Sequence, residues 1–216
     1  MIGISNPAIK KGSGILIAAI GWFALILQLY VMLNTNAKNA IAVTTTVINF
    51  FSFFTILSNL LVAISLTASI LFPNSKPGIF FSKPTTQSAI GLYIIIVGIV
   101  YSVALRKIWN PEGLQLVADR LLHDLIPLLY LFYWLLFTPK KVLQWKHVPY
   151  WLIFPAIYLV YSLIRGALVN WYPYYFINAQ ELGYGKVAIT SLLVLAAFIL
   201  LGLLLVFINR LGKAER

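Results

Sequence analysis

Apolar residues fall in long uninterrupted runs along this chain, unlike the half-polar patterns of soluble helices and strands. A helix needs about 20 apolar residues to cross a bilayer core of roughly 30 Å. Six runs reach or approach that length, and we predict a transmembrane helix for each: residues 15–33, 47–72, 89–105, 121–137, 151–169 and 187–208. The second is long enough to tilt or to project from the membrane, and the short third and fourth are expected to extend into their flanks.

Proline, glycine and asparagine punctuate the segments between these runs, for example residues 73–78 and 109–113. Such residues end helices and form turns. No internal repeat and no segment typical of a soluble domain is visible in the sequence. We therefore predict that residues 1–216 form a single all-α domain, a polytopic membrane protein with six transmembrane helices.

The composition agrees with this fold class. Hydrophobic residues make up 61% of the chain and charged residues 10%, against about 45–50% and 25% in soluble domains, which excludes a water-soluble globule. The chain has no cysteine, which excludes disulfides, thiolate metal sites and cysteine nucleophiles. Two histidines are too few for a histidine-rich metal site, so we expect no metal and no cofactor.

The net charge of +11 predicts membrane lipids as partners and no nucleic acid, because basic residues at membrane ends face anionic lipid. The amino terminus, the second and fourth loops and the carboxyl tail hold 10 Lys and Arg, and the other loops hold 5. Cytoplasmic loops carry the excess of basic residues in membrane proteins. We expect both termini in the cytoplasm and the protein in a bacterial inner (plasma) membrane.

Polar residues at membrane depth are costly and therefore informative. In the second span Asn49, Ser52, Thr55 and Asn59 are spaced three, three and four apart, which places them on one face of a continuous helix. Two interpretations remain open. The face could line a polar cavity, or its hydroxyl and amide groups could simply pack helices together.

The start of the fourth span carries a second polar group. Asp119 and His123 are four residues apart, so the carboxylate could orient the imidazole and fix its tautomer. Asp124 lies about 100° around the helix from His123 and needs another partner. Pro127 has no N–H, which frees the carbonyl of His123. The alternative is a helix start that is merely wetted at the interface.

The fifth span adds Tyr161 and Arg165. We expect Arg165 to pair with Asp124, the nearest acid by predicted depth; the alternative is that its long side chain reaches lipid head groups. The aromatic residues that follow are typical of an interfacial belt: Trp171, Tyr172, Tyr174 and Tyr175.

Three short motifs carry a resemblance to one family. They are FFTILSN at 53–59, HDLIP at 123–127 and YSLIRG at 161–166. In this order and in these spans, the chain resembles the six-helix bacterial membrane proteins of the Pr-six-Pr type. Those are similar in turn to the eukaryotic androgen-induced and androgen-dependent TFPI-regulating membrane proteins. The resemblance covers nearly the whole chain.

The resemblance implies an intramembrane hydrolase of lipid esters. The eukaryotic proteins cleave fatty acid esters of hydroxy fatty acids with a threonine nucleophile and a histidine, which match Thr55 and His123 by motif. Where they tend to have a hydroxyl residue after the histidine, this chain has Asp124. That difference bears on the proton relay and on the substrate.

The implied chemistry makes specific demands on the site. A threonine hydroxyl needs a base within about 2.6–3.2 Å, and the predicted depths of Thr55 and His123 do not by themselves bring the two together. Ester cleavage also needs a donor for the developing oxyanion, for which Asn59 or Asn49 is the candidate. A lipid ester, with apolar tails and one polar linkage, would suit a polar notch in an apolar bundle.

Two other functions remain open at this stage. One is a small-solute transporter or channel, against which stand the absence of paired broken helices in the two halves of the sequence and of carboxylates at the membrane midplane. The other is a non-catalytic lipid-binding or scaffold protein, whose polar face only packs helices. The sequence does not specify the oligomeric state.

Overall fold

The computed structural model describes residues 6–212, and all regular structure within them is helical. The helices are α1 (Pro7–Lys38), α2 (Val43–Phe51), α3 (Phe54–Leu71), α4 (Lys76–Ser82), α5 (Pro84–Leu105), α6 (Gly113–Phe137), α7 (Trp145–Val169) and α8 (Ala179–Leu211). All except α2 and α4 are long and apolar enough to span a membrane. The chain is therefore a multi-pass membrane protein with six spans, as predicted. Lys213 and Arg216, which contribute to the basic count, lie outside the described residues.

The centre of the bundle is formed by α3 and α5. α3 packs against α1 and α5, and α5 also packs against α6 and α8. Fully buried apolar side chains fill these contacts, among them Val62, Leu92 and Ile126. In contrast, α7 is buried along little of its length. Its apolar outer surface is suited to lipid.

The second predicted span is not one helix. The chain breaks between α2 and α3, where Phe53 is extended, with φ −83° and ψ 129°. At the break the Tyr158 hydroxyl of α7 donates to the carbonyl of Ser52 at 2.9 Å, and the Ser52 hydroxyl donates to the carbonyl of Ile48 at 2.7 Å. A hydroxyl from another span thus satisfies a carbonyl that a continuous helix would have satisfied itself.

Two spans contain a single π-helical turn. Tyr101–Leu105 ends α5, and Leu121–Leu125 interrupts α6 just before Pro127. Pro127 has no N–H for the carbonyl of His123, so the helical ladder must be re-formed around that point. The two helices approach closely here because residue 98 is glycine: a β-carbon at Gly98 would lie 3.1 Å from the His123 carbonyl oxygen.

Candidate active site

The break and the π turn bring together two residues that the sequence left apart. The Oγ1 atom of Thr55 lies 3.3 Å from the Nε2 atom of His123. Thr55 stands in the first turn of α3, immediately after the break, and His123 stands in the π turn of α6. The distance is at the long end of a hydrogen bond.

The other nitrogen of the imidazole faces Asp119. His123 Nδ1 lies 3.0 Å from the Asp119 carbonyl oxygen and 3.2 Å from its Oδ1 atom. Both are acceptors, so they favour a proton on Nδ1 and leave the lone pair of Nε2 directed at Thr55. The predicted orienting role of Asp119 is consistent with this geometry.

Tyr101 holds this carboxylate and the imidazole in place. Its hydroxyl donates to Oδ2 of Asp119 at 2.5 Å, and its ring stacks on His123 with centroids 4.1 Å apart and 14° between planes. Asp119 is only 1% exposed. A buried carboxylate with a charge-assisted hydrogen bond is a rigid support for the imidazole.

The first turn of α3 presents backbone N–H groups that have no partner within the helix, beside the Thr55 hydroxyl. The first backbone bond of α3 runs from Leu57 N–H to the Phe53 carbonyl. The N–H groups of Phe54, Thr55 and Ile56 therefore lie outside the helical ladder. They add to the positive end of the helix dipole, which favours a developing negative charge.

Tyr174 occupies the space in front of these N–H groups. Its hydroxyl accepts from Thr55 N–H at 3.2 Å and lies 3.3 Å from Thr55 Oγ1. Burial raises the pKa of the Tyr174 hydroxyl above its ordinary value of 10.0. The group therefore stays protonated near neutral pH and is available as a hydrogen-bond donor.

Both asparagines make hydrogen bonds within the protein, and their expected role as oxyanion donor stays a prediction. Asn59 Nδ2 donates to the carbonyls of Thr55 and Leu122, at 2.8 and 3.3 Å, and so ties α3 to α6. Asn49 lies beyond the break, where its Oδ1 accepts from Arg165. The break separates the two asparagines from one common face, and Tyr174 lies beside Thr55 instead.

The expected ion pair between Arg165 and Asp124 is wrong. Arg165 Nη2 donates to Asn49 at 2.6 Å, and the guanidinium lies 4.5 Å from the centre of the Trp171 ring. Asp124 instead pairs with Arg106 and with Arg120. The prediction compared only the membrane depths of Asp124 and Arg165. It overlooked Arg106, at the end of α5, and Arg120, one turn before Asp124 on α6.

Tyr161 and Ser52 meet between α7 and the break, with their hydroxyl oxygens 2.8 Å apart. Together with the pair Arg165–Asn49, this contact shows that part of the polar face packs helices. The two interpretations of that face therefore each hold for part of it: Asn49 and Ser52 bind α7, whereas Thr55 lines a cavity.

Thr55 lies where two cavities meet. One, of about 630 Å³, is almost entirely apolar and extends between α5, α7 and α8. The other, of about 460 Å³, is more polar and lies among the ends of α1, α5 and α6 and the loop before α8. The side chains that border both cavities are Thr55, Tyr101, Leu105 and Tyr174.

Two of these residues were missed from the sequence. Tyr174 belongs to a run of aromatic residues that resembles an interfacial belt, and only the fold shows that its hydroxyl reaches Thr55. Tyr101 is a tyrosine near the end of an apolar span, and its partners Asp119 and His123 lie on α6. No residue spacing within α5 or within the loop before α8 could have indicated the contacts of Tyr101 and Tyr174.

Comparison of this chain with known protein families, curated proteins and solved structures finds no match. The resemblance drawn from the motifs therefore stays a prediction, and any function must be argued from the site. No cluster of three or more potential metal ligands occurs in the described part of the chain.

Proposed function

We propose that this chain is a membrane-embedded esterase that hydrolyses fatty acyl esters, with Thr55 as nucleophile and His123 as general base. The observation that carries the proposal is the contact of Thr55 Oγ1 with His123 Nε2 at 3.3 Å, with Asp119 on the opposite side of the imidazole. A hydroxyl, an imidazole and a buried carboxylate in this order form the arrangement used in serine hydrolases.

The proposed hydrolysis has two steps, acylation of Thr55 and hydrolysis of the acyl-threonine. His123 takes the proton of Thr55 as Oγ1 attacks the acyl carbonyl, and it then gives that proton to the departing alcohol. Water, activated by the same imidazole, attacks the resulting acyl-threonine, releases the fatty acid and restores the Thr55 hydroxyl. In both steps the carbonyl oxygen becomes negative, next to the N–H groups at the start of α3 and within reach of the Tyr174 hydroxyl.

The surroundings of the site favour a lipid substrate over a soluble ester. The larger cavity has an almost wholly apolar wall and is bordered by Leu192 and Tyr184 of α8, which are 64% exposed on the outside of the bundle. An acyl chain can thus move from the bilayer to Thr55 without crossing water. This agrees with the lipid-ester activity implied by the motif resemblance, and we place the protein in a bacterial inner membrane on the same resemblance.

Covalent labelling tests the proposal. A fluorophosphonate probe, which reacts with activated hydroxyl nucleophiles, should label the purified protein in detergent, and Thr55→Ala should abolish labelling. Thr67→Ala is the matched control, since Thr67 lies on the same helix and its hydroxyl accepts from Trp22, away from the site. Failure to label the parent protein, or equal labelling of Thr55→Ala, would rule out the nucleophile and favour transport or lipid binding.

A further inference from the structure

The two cavities that meet at Thr55 differ in chemistry, and an ester placed at Thr55 would have one half in each. The carbonyl carbon must lie at Oγ1, next to Tyr101 and Tyr174, which border both cavities. The acyl chain fits the larger, apolar cavity. The alcohol half of the ester would then occupy the smaller one.

Most of the wall of the smaller cavity is apolar, and the polar side chains that line it away from Thr55 and His123 are uncharged. They come from the last turns of α1 and the first turn of α6: Gln28, Thr35, Asn36 and Gln115. Gln28 and Gln115 face each other across its wall, with amide contacts of 2.9 and 3.4 Å. Each amide has further donor and acceptor capacity, so the pair can bind hydroxyl groups in either direction.

A charged alcohol half would fit this cavity poorly. Among the residues that the structure describes, no lysine or arginine lines it, and its acidic lining residue is Asp119. A carboxylate on the substrate would meet no basic side chain in the wall and would approach the Asp119 carboxyl group. The arginines next to lining residues in the sequence, Arg106 and Arg120, are paired with Asp124, and Lys107 is exposed.

On the basis of the proposed hydrolysis at Thr55, we propose that the substrate is a fatty acyl ester of an uncharged polyol such as glycerol, whose hydroxyl groups bind Gln28 and Gln115. This substrate differs from the esters implied by the motif resemblance, which carry a free carboxylate. Gln28 and Gln115 would then be specificity-determining residues.

Three palmitoyl esters of matched size test the assignment: those of glycerol, glyceric acid and propanol. The parent protein in detergent should cleave the glycerol ester with a kcat/KM about tenfold above that of the propyl ester, as expected for net gains from two amide hydrogen bonds. The glycerate ester should be the poorest. Equal rates on all three, or a preference for glycerate, would overturn the proposal.

A double variant then tests whether Gln28 and Gln115 determine the preference for the glycerol ester. Gln28→Leu with Gln115→Leu replaces both members of a hydrogen-bonded pair by apolar groups of similar size, which is nearly neutral for folding. It should lower kcat/KM for the glycerol ester about tenfold and raise it for the propyl ester, inverting the preference. Asn34→Leu, on α1 outside the cavity, is the control and should keep the parent ratio.

The outcomes separate the two proposals. If the parent prefers the glycerol ester and the double variant keeps that preference, the assignment of Gln28 and Gln115 is wrong while Thr55 hydrolysis stands. If the parent cleaves none of the esters, the proposed function fails, and with it the substrate class.

Discussion

Thr55, His123 and Asp119 form a chain of contacts. Asp119 orients the imidazole of His123 and favours one tautomer, and that tautomer directs a lone pair at the Thr55 hydroxyl. Tyr101 and the Asp119 carboxylate hold the imidazole, and the imidazole faces the Thr55 hydroxyl. The carbonyl of Asp119 is a second acceptor for Nδ1, at 3.0 Å. The proton on Nδ1 therefore does not depend on the carboxylate alone.

This redundancy predicts unequal effects of substitution. His123→Ala should lower kcat for a fluorogenic acyl ester by about 10²–10⁴-fold, whereas Asp119→Asn should lower it less, because the backbone acceptor remains. Thr55→Ser should keep measurable activity, since it keeps the hydroxyl. Each rate is measured on protein with a parental size-exclusion profile.

Combining Thr55→Ala with His123→Ala extends this test, because residues that act as a unit lose activity together. The double variant should be little worse than either single one. Additive losses would mean that the two residues contribute separately, contrary to a nucleophile–base pair.

Arg165 illustrates a residue whose partner was misassigned from depth. Its guanidinium bonds to the neutral amide of Asn49, so its removal leaves no unpaired carboxylate. Arg165→Met and Asn49→Leu should each destabilise the protein in detergent, with a coupling of about 1.5–3 kcal/mol, as for a hydrogen bond to a charged group. Thermal unfolding of the single and double variants measures this coupling. Coupling of Arg165→Met to Asp124→Asn should be near zero, and a large value there would restore the rejected ion pair.

At the scale of helices, the site depends on two departures from regular structure. The break before α3 exposes the N–H groups at Thr55, and the π turn in α6 carries His123. The six spans were predictable because lipid requires about 20 apolar residues for each. The break was not, because Ser52-Phe53 contains neither proline nor glycine and its support comes from Tyr158 on another span.

The same reasoning explains which parts of the site the sequence could indicate. Asp119 and His123 are neighbours on one helix, so their spacing predicted their contact. Thr55 and His123 were paired only by the motif resemblance, since their approach depends on how α3 packs against α6. Tyr174 reaches Thr55 from a loop, and such a contact has no periodic signal in the sequence.

Tyr158→Phe tests the break. Loss of the hydroxyl leaves the Ser52 carbonyl without its donor, which should lower the free energy of unfolding by about 1–3 kcal/mol and reduce esterase activity. Tyr161→Phe is the control, because the Ser52 hydroxyl keeps its bond to the Ile48 carbonyl. If the two variants unfold alike and keep equal activity, the Tyr158 hydroxyl does not support the break.

Gly98→Ala tests the position of the π turn. The added methyl group would lie 3.1 Å from the His123 carbonyl oxygen and 3.3 Å from Pro127, so α6 must shift by a few tenths of an ångström to accommodate it. Misplacement of a catalytic group by 1 Å costs about 10²-fold in rate, so we expect kcat to fall by less than that while the fold survives. Gly91→Ala, on the same helix, meets its neighbours at an ordinary 3.6 Å and should keep activity. Equal activity of the two variants would contradict the packing argument.

At the scale of the whole molecule, six spans place both termini on one side of the membrane, and the site lies near the opposite end. Thr55 begins α3, just after α2, and His123 lies in the first half of α6, the half nearer the loop before that helix. If the excess of basic residues marks the cytoplasm, the proposed hydrolysis would take place in the outer half of the membrane. The polyol half of the substrate would then be drawn from the outer leaflet.

The absence of cysteine makes this orientation directly measurable, because one introduced cysteine gives one labelling site. Glu112 and Asn74 are exposed and lie in loops at opposite ends of the bundle. In spheroplasts, a membrane-impermeant maleimide should label Glu112→Cys at once, whereas Asn74→Cys should react only after the membrane is permeabilised. Both variants must retain esterase activity, so that the labelled chains are the folded ones. The opposite labelling pattern would place the termini outside and the Thr55 site in the cytoplasmic half, where the protein would act on inner-leaflet lipids instead.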